Sequence, residues 1–211
     1  LGLAKGFLKA GADVTIAALE EDVTEVAGQL SDTYGRKVLG IVCDIAELDQ
    51  VERLQGKVDR VDVLINNAGL EYVTPITDPS DQVDNVFRRI IEINVIGTFS
   101  VTRRLLEKIP DGGRIVNTAS MWGKTAVAEF SAYCVSKHGV IGLTRSLAQE
   151  LAPRRISVNA VCPGWVRTVA STRSLSFMAA QQGRTESDLL DEIVSAQAFE
   201  GLMEPQDMVD M

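Results

Sequence analysis

Short apolar runs separated by longer amphipathic stretches constrain this chain more than any other feature. Val14-Thr-Ile-Ala-Ala18, Lys37–Val42, Val61-Asp-Val-Leu-Ile65, Gly113–Ala119 and Ile156–Val161 are rich in aliphatic and β-branched residues and bounded by Gly, Asp, Asn or Pro. Between them, residues 3–10, 22–34, 47–57, 81–109 and 130–151 read as helices, the first stopped at Gly11. Short strands alternating with helices of about ten residues or more indicate β-α-β units, whose parallel strands need a crossover and are covered on both faces. The predicted class is α/β, a doubly wound parallel sheet with helices on both faces. At 211 residues, 45% hydrophobic and 24% charged, the chain suits one well-cored domain over 1–211.

Charge and cysteine usage narrow the function classes. A net charge of −8 argues against a nucleic-acid phosphate surface as partner. Cys43, Cys134 and Cys162 are odd in number and far apart, and with a single His138 they form no metal-ligand spacing. They read as packing cysteines of a reduced, cytoplasmic protein, with no metal site. No apolar run reaches membrane-spanning length and no signal peptide is visible, so no membrane partner is expected.

The chemistry concentrates between Ser120 and Leu151. Tyr133 and Lys137 stand four residues apart in a helical stretch, so their side chains share a face. A free tyrosine titrates near pH 10, and an ammonium one turn away favours the phenolate, drawing the phenol toward a usable range. Ser120 lies thirteen residues before Tyr133, at the carboxyl end of a strand, where ligands enter an open parallel sheet. Taken alone, a Tyr-x-x-x-Lys pair is a short motif with a high chance rate, and its plainer reading is a surface lysine beside a half-buried tyrosine. His138 points off the reactive face by about 100° and reads as structural.

Asp44-Ile45 after a strand, Asn66-Asn-Ala-Gly69, Asn94 in Ile-Asn-Val, Ser120, Tyr133-x-x-x-Lys137 and Pro163-Gly164 stand in order over essentially the whole chain. In this the sequence resembles the short-chain dehydrogenase/reductase family, with its Rossmann-like fold. The interval from Asp44 to Asn66 is about one helical turn shorter than the family pattern. The resemblance implies an NAD(P)-dependent oxidoreductase that interconverts a secondary alcohol and a ketone. It implies Tyr133 as general acid/base and Lys137 as the group that lowers the tyrosine's pKa and holds the nicotinamide ribose. Ser120 would orient the reacting oxygen, and Asn94 would tie a water into a proton relay. Asp44 and Ile45 would meet the adenine. Asn66, Ala68 and Gly69 would line the ribose side, and Pro163, Gly164, Val166 and Thr168 would close over the carboxamide.

Each residue has a plainer alternative. Asn94 could satisfy a neighbouring backbone group. Asp44 could cap the helix that follows. Asn66-Asn67 could be turn chemistry alone, and Pro163-Gly164 only a turn. A different class of function, a non-catalytic nucleotide-binding or interaction protein on the same fold, is opposed by the complete Ser/Tyr/Lys/Asn set.

Where the sequence departs from the family pattern, further expectations follow. Leu1-Gly2-Leu3 fits the tail of a glycine-rich pyrophosphate turn, so Gly2 is assigned to cofactor binding and about 10–20 residues are expected before it. Pro205 onward reads as a helix start, with a further strand expected after Met211. Ala18 and Leu19 supply neither the acidic residue that selects NAD in the family nor the basic one that selects NADP. Glu20, Glu21 and Asp22 would repel a 2′-phosphate, which favours NAD over NADP. Residues 170–203 read as a substrate lid, with a helix starting at Thr185-Glu-Ser-Asp188 and an apolar stripe of Leu189, Ile193 and Val194. Trp122, Trp165, Phe177 and Met178 are candidates for pocket wall or core. Glu71 could bind a substrate hydroxyl or ammonium, or face a neighbouring subunit. Surplus apolar surface on the 130–151 helix, with the resemblance, implies a homotetramer or homodimer acting on a small alcohol or ketone.

Overall fold

The apolar runs become strands almost where their composition ends them. The computed structural model describes residues 1–195 and 201–209. In it β1 is Val14–Ala18, β2 Val38–Val42, β3 Val63–Asn66, β4 Arg114–Thr118 and β5 Ser157–Val161. β3, β4 and β5 lie side by side in parallel, with Asn66 opposite Asn117 and Asn117 opposite Ala160. β1 and β2 form a second, two-stranded sheet, and no ladder among the described residues joins the two sheets. The intervening helices are α1 (Gly2–Lys9), α2 (Val23–Tyr34), α3 (Leu48–Lys57), α4 (Asp81–Ile91), α5 (Thr98–Leu105), α6 (Ser131–Leu151), α7 (Val169–Gln182) and α8 (Glu186–Ser195). The architecture is α/β, as the alternation requires.

The chain divides into two compact units, Thr15–Cys162 and Leu1–Val14 with Pro163–Met211. In the first, Ile115 of β4 is fully buried among Leu64, Val51, Leu105, Ile109, Leu151 and Val158, which come from β3, α3, α5, α6, β5 and the turn before β4. Gly35 ends α2 at φ +60°, and its N–H donates to Ser31 O; a side chain there would meet the steric penalty of the left-handed region.

The predicted continuous helix over 81–109 is interrupted. After α4 the chain makes a π-helical turn, Glu92–Gly97, before α5, and a 3₁₀ turn over Leu106–Lys108 closes it. A π turn inserts one residue into the helix and shifts the faces on either side of it. Gly97 permits the interruption to sit close to the loop after β2, because a Cβ there would stand 2.8 Å from Ile45 Cγ1.

α6 runs 21 residues. Ala132, Ser136, Val140 and Thr144, at successive i+4 positions, form its buried stripe, and the helix packs against α4, the π turn and β5.

In the other unit, α1 opens at Gly2, where a Cβ would lie 2.6 Å from Pro205 O. α7 starts with a capping box between Thr168 and Ser171, and α8 with Asp188 N donating to Thr185 Oγ1 at 3.1 Å. Of the stripe expected in α8, Leu189 is buried while Ile193 and Val194 are half-exposed. Residues 205–208 form turns instead of the expected helix start, with Glu204 N bonded to Asp207 Oδ2 at 2.8 Å. Residues 196–200 of the predicted lid and 210–211 lie outside the described residues.

Candidate active site

β4 ends at Thr118, and Ser120 two residues later adopts an extended backbone that lets its hydroxyl cap the 3₁₀ turn Met121–Gly123, accepting from Trp122 N at 3.2 Å. That turn rests on α6: a Cβ on Gly123 would lie 2.8 Å from Lys137 O. Close backbone contact thus holds Ser120 against the helix turn that carries Tyr133 and Lys137. Trp122 meets the Tyr133 ring edge-on at 6.0 Å and the Phe130 ring at 5.2 Å, fixing the ring's attitude.

Lys137 is 4% exposed. Its Nζ donates to Thr118 O at 2.8 Å and stands 5.4 Å from the centroid of the Tyr133 ring. An ammonium has three donors and this bond uses one, so two remain inside a buried site. Burial pushes its pKa down to about 8, partly opposed by Cys162. Burial pushes the Tyr133 phenol up to about 12; the hydrogen bond from Ser120 pulls the other way, and the charges of Glu71 and Cys134 add to the rise. The expectation that Lys137 draws Tyr133 toward neutrality is therefore corrected. In the folded chain, desolvation of the phenolate is the largest influence on Tyr133, and the phenol is protonated near pH 7.

Asn94 lies in the π turn and is 1% exposed. Its Oδ1 accepts from Leu70 N at 2.7 Å, and its Nδ2 donates to Leu70 O and to Ser136 Oγ, both at 2.9 Å. Both amide hydrogens are engaged, so the side chain is a clamp on the loop after β3, close to the plainer alternative for this residue. Ser136 Oγ in turn donates to Tyr133 O at 2.8 Å, joining the π turn to the first turn of α6. A Cβ on Gly69 would stand 3.3 Å from Asn94 Oδ1 and 3.5 Å from Lys137 Nζ, so the Asn-Ala-Gly backbone passes directly over both groups.

The remaining candidates divide between the two units. Asn66 ends β3 with its Nδ2 bonded to Thr102 Oγ1 (2.9 Å) and Asn117 Oδ1 (2.8 Å), while Asn67 and Ala68 are exposed. Asp44 does not cap α3, which begins after Glu47. Its Oδ1 accepts from Ala46 N at 2.9 Å and its Oδ2 pairs with Arg89 at 2.6 Å. Ile45 packs against Gly97 and the edge of the core. Gly2, Pro163, Gly164, Val166 and Thr168 belong to the other unit, where Val166 bridges to Met203 and Thr168 is the N-cap of α7. His138 Nδ1 meets Cys134 O at 2.9 Å within its own helix, a structural role, and all three cysteines are free. No metal-ligand cluster occurs among the described residues.

Several supports escaped the sequence reading. Asn117, fully buried, bonds Asn66 on β3 and, through Nδ2, Thr144 on α6 at 2.9 Å. Ser136 couples Asn94 to Tyr133. A polar residue in mid-strand flanked by apolar ones was the available signal for Asn117; for Ser136 there was only its place beside Lys137.

The buried ammonium, with donors beyond its bond to Thr118 O and a glycine backbone close above it, could hold a vicinal diol such as a nucleotide's ribose. The short chain dehydrogenase family model matches residues 1–178. The D-beta-hydroxybutyrate dehydrogenase of Rhizobium meliloti is 32% identical over 203 residues, covering 92% of this chain and 77% of that protein. Among solved structures, actinorhodin polyketide ketoreductase with NADPH superposes at TM-score 0.88 and 31% identity, over 100% of this chain and 82% of that one. Sorbitol-6-phosphate 2-dehydrogenase from Erwinia amylovora gives 0.90 and 27%, over 99% and 84%. The chain belongs to the short chain dehydrogenase family of oxidoreductases.

Proposed function

We propose that Tyr133 transfers the proton in this NAD(P)-dependent oxidoreductase, which interconverts a secondary alcohol and a ketone. The observation that carries the reading is the half-buried Tyr133 beside the buried Lys137 and the Ser120 hydroxyl, with the charged forms of Tyr133 and Lys137 both disfavoured. In the reducing direction the neutral phenol donates to the oxygen that gains charge. Lys137, 5.4 Å from the ring, then stabilises the phenolate as it forms. Its role is to meet developing charge, and pre-ionising the tyrosine is unnecessary. Ser120 holds the reacting oxygen against Tyr133. Asn94 and Ser136 position the loop after β3 and the first turn of α6, and no water relay is needed for that.

Lys137, Gly69 and Ala68 would hold the nucleotide ribose, with Asp44 and Ile45 toward the adenine; the nicotinamide, when bound, supplies and accepts the hydride. NAD is the preferred form, because Glu20, Glu21 and Asp22 stand exposed directly after β1 and would repel a 2′-phosphate. A homotetramer is the proposed assembly: Ile96 (54% exposed), Val135 (52%) and Phe99 (42%) leave apolar surface on the helices around the site. No helix among the described residues is long and apolar enough to cross a membrane. Three free cysteines support a reducing compartment such as the cytoplasm.

The names of the relatives span a hydroxy acid, a polyketide ketone and a sugar alcohol phosphate, so the choice of substrate rests on this chain's own residues. The test is Tyr133→Phe, followed by nicotinamide absorbance against a panel of ketones and alcohols. It keeps the ring and its contact with Trp122 but removes the ionisable oxygen, and turnover should fall by about 10²–10⁴. Retention of more than a tenth of wild-type turnover removes Tyr133 from the mechanism.

A further inference from the structure

The helix that carries Tyr133 has no cap of its own. Phe130, at the cap position of α6, offers no side-chain acceptor, and Ala132 is fully buried in the turn that follows. Its N–H is one of the donors that an α-helix leaves open in its first turn, and burial obliges it to find an acceptor. The acceptor comes from 58 positions earlier in the chain: Ala132 N donates to Thr74 Oγ1 at 3.1 Å, the bond an ordinary cap hydroxyl would make. Thr74 is itself 1% exposed, and each of its polar groups is engaged. Its N–H donates to Glu129 O at 2.6 Å, and its C=O accepts from Ser131 Oγ at 3.2 Å. Having accepted from Ala132, its hydroxyl can give its own proton to Ser131 Oγ, 3.0 Å away. Glu129, which supplies the acceptor for Thr74 N, holds φ +66°, a left-handed conformation uncommon for a residue with a side chain.

The same loop reaches Tyr133 from the other side. Asn94 grips both backbone groups of Leu70, N–H at 2.7 Å and C=O at 2.9 Å, and passes a bond to Ser136 Oγ, which donates to Tyr133 O. Only Glu71, Tyr72 and Val73 separate Leu70 from Thr74. Tyr133 is therefore bracketed: Thr74 fixes the amide before it, the Asn94–Ser136 pair fixes its carbonyl, and both ties lead back to one short loop.

We propose that Thr74 is a positioning residue for the proton transfer: its hydroxyl supplies the cap that α6 lacks, fixes the backbone at Ala132, and so sets where the Tyr133 phenol stands relative to the reacting oxygen. This rests on the assignment of Tyr133 as proton donor. Trp122 orients the ring, but the backbone from which the ring projects is held by Thr74. Proton transfer is sensitive to such placement, since a displacement of about 1 Å can cost on the order of a hundredfold in rate.

Thr74→Val keeps the branched shape and removes the hydroxyl, leaving Ala132 N–H buried without its acceptor, whereas Thr74→Ser keeps the hydroxyl. Both are assayed with NADH and the fastest of butanone, hydroxyacetone and acetoacetate, in water and in heavy water, well below the unfolding temperature. In Thr74→Val kcat should fall roughly tenfold or more, with KM for NADH within about twofold of wild type. The solvent isotope effect on kcat should rise, because a misplaced donor makes proton transfer more fully rate-limiting. A merely loosened fold lowers the fraction of active protein, which scales kcat and leaves its isotope effect unchanged. Thr74→Ser should keep kcat within about threefold of wild type. Should Thr74→Val fail to fold, Ser131→Ala carries the test: Ser131 is exposed, and its hydroxyl bonds Thr74 at both the carbonyl and the Oγ1. There kcat should fall about threefold, with the same rise in isotope effect. An isotope effect unchanged from wild type in the variant tested, kcat of Thr74→Val within about twofold of wild type, or an equal loss in Thr74→Ser overturns the proposal. Failure of the Tyr133 assignment reads out separately, as activity surviving Tyr133→Phe; failure of the Thr74 assignment leaves Tyr133→Phe inactive and Thr74→Val near wild type.

Discussion

Replacing Lys137 with Met should make the folded chain more stable while removing its activity. The ammonium's pKa falls from its ordinary 10.5 to about 8 because the side chain is almost wholly withdrawn from water. At pH 7 the unfolded chain carries this proton with full hydration, whereas the folded chain carries it in a buried site. A difference of about 2.5 in pKa corresponds to about 3 kcal/mol of lost stability. Because the folded pKa is the lower one, the unfolded state binds more protons between pH 8 and 10.5, and stability rises with pH across that window. Methionine fills the same space without a charge but gives up the bond to Thr118 O, worth about 1–2 kcal/mol. The net expectation is a variant about 2 kcal/mol more stable than wild type at pH 7.

The pH dependence separates this from a general packing gain. The advantage should shrink by about 2–3 kcal/mol between pH 7 and pH 10, leaving the variant level with wild type or slightly below it. Tyr133, whose burial raises it to about 12, begins to subtract stability only above its unfolded value of 10, beyond this range. Burial also raises Cys43, but that effect is common to both proteins and cancels in the difference. Urea titrations of nucleotide-free protein at pH 7, 8, 9 and 10, at one protein concentration, measure the gap directly. A gap that stays constant within about 0.5 kcal/mol over that range refutes the claim that Lys137 is held charged against its environment.

Ser136→Ala removes the acceptor for Asn94 Nδ2 and the donor to Tyr133 O, and should cost about 1–3 kcal/mol in urea unfolding. As a positioning change it should lower kcat more than it alters KM, and Ser136→Thr should restore part of the loss. Glu20→Arg with Glu21→Gln should raise the kcat/KM for NADP relative to NAD by roughly tenfold or more, since two repulsions are removed and one attraction added; an unmoved ratio would mean that these carboxylates do not face the ribose. Val135→Glu places a charge on the 52%-exposed apolar position of α6 and should shift light-scattering mass toward smaller species, whereas wild-type mass equal to one chain removes the tetramer proposal.

What the amino-acid sequence makes legible follows from how local each property is. Val14–Ala18 is strand at both predicted ends, and α6 begins within one residue of expectation, because apolar runs and their boundaries are local patterns. The π turn at Glu92–Gly97 was not legible: the apolar spacing over 81–109 looks the same whether or not one turn holds an extra residue. Its cause is tertiary, namely the bonds Asn94 makes to Leu70 and Ser136 and the close approach of Gly97 to Ile45. Asn94 could be named from sequence, but its partners, 24 and 42 positions away, could not.

Tyr133 and Lys137 show the limit most sharply. Spacing of four places both on one face, and from that alone the charge of one should ease ionisation of the other. Depth decides otherwise, because desolvation acts against the charged form of each: the phenol rises to about 12 and the ammonium falls to about 8. As pH rises, the first proton to leave the pair comes from the lysine side, near 8. Loss of that proton removes the charge that stabilises the phenolate, so in the nucleotide-free chain the tyrosine becomes harder to ionise as alkalinity increases. A group whose ionisation is opposed on both sides of neutrality is suited to hold its proton until an adjacent oxygen takes it. The burial that makes Lys137 a burden on stability is therefore of a kind with the desolvation that keeps the Tyr133 phenol protonated, as the proposed proton transfer requires.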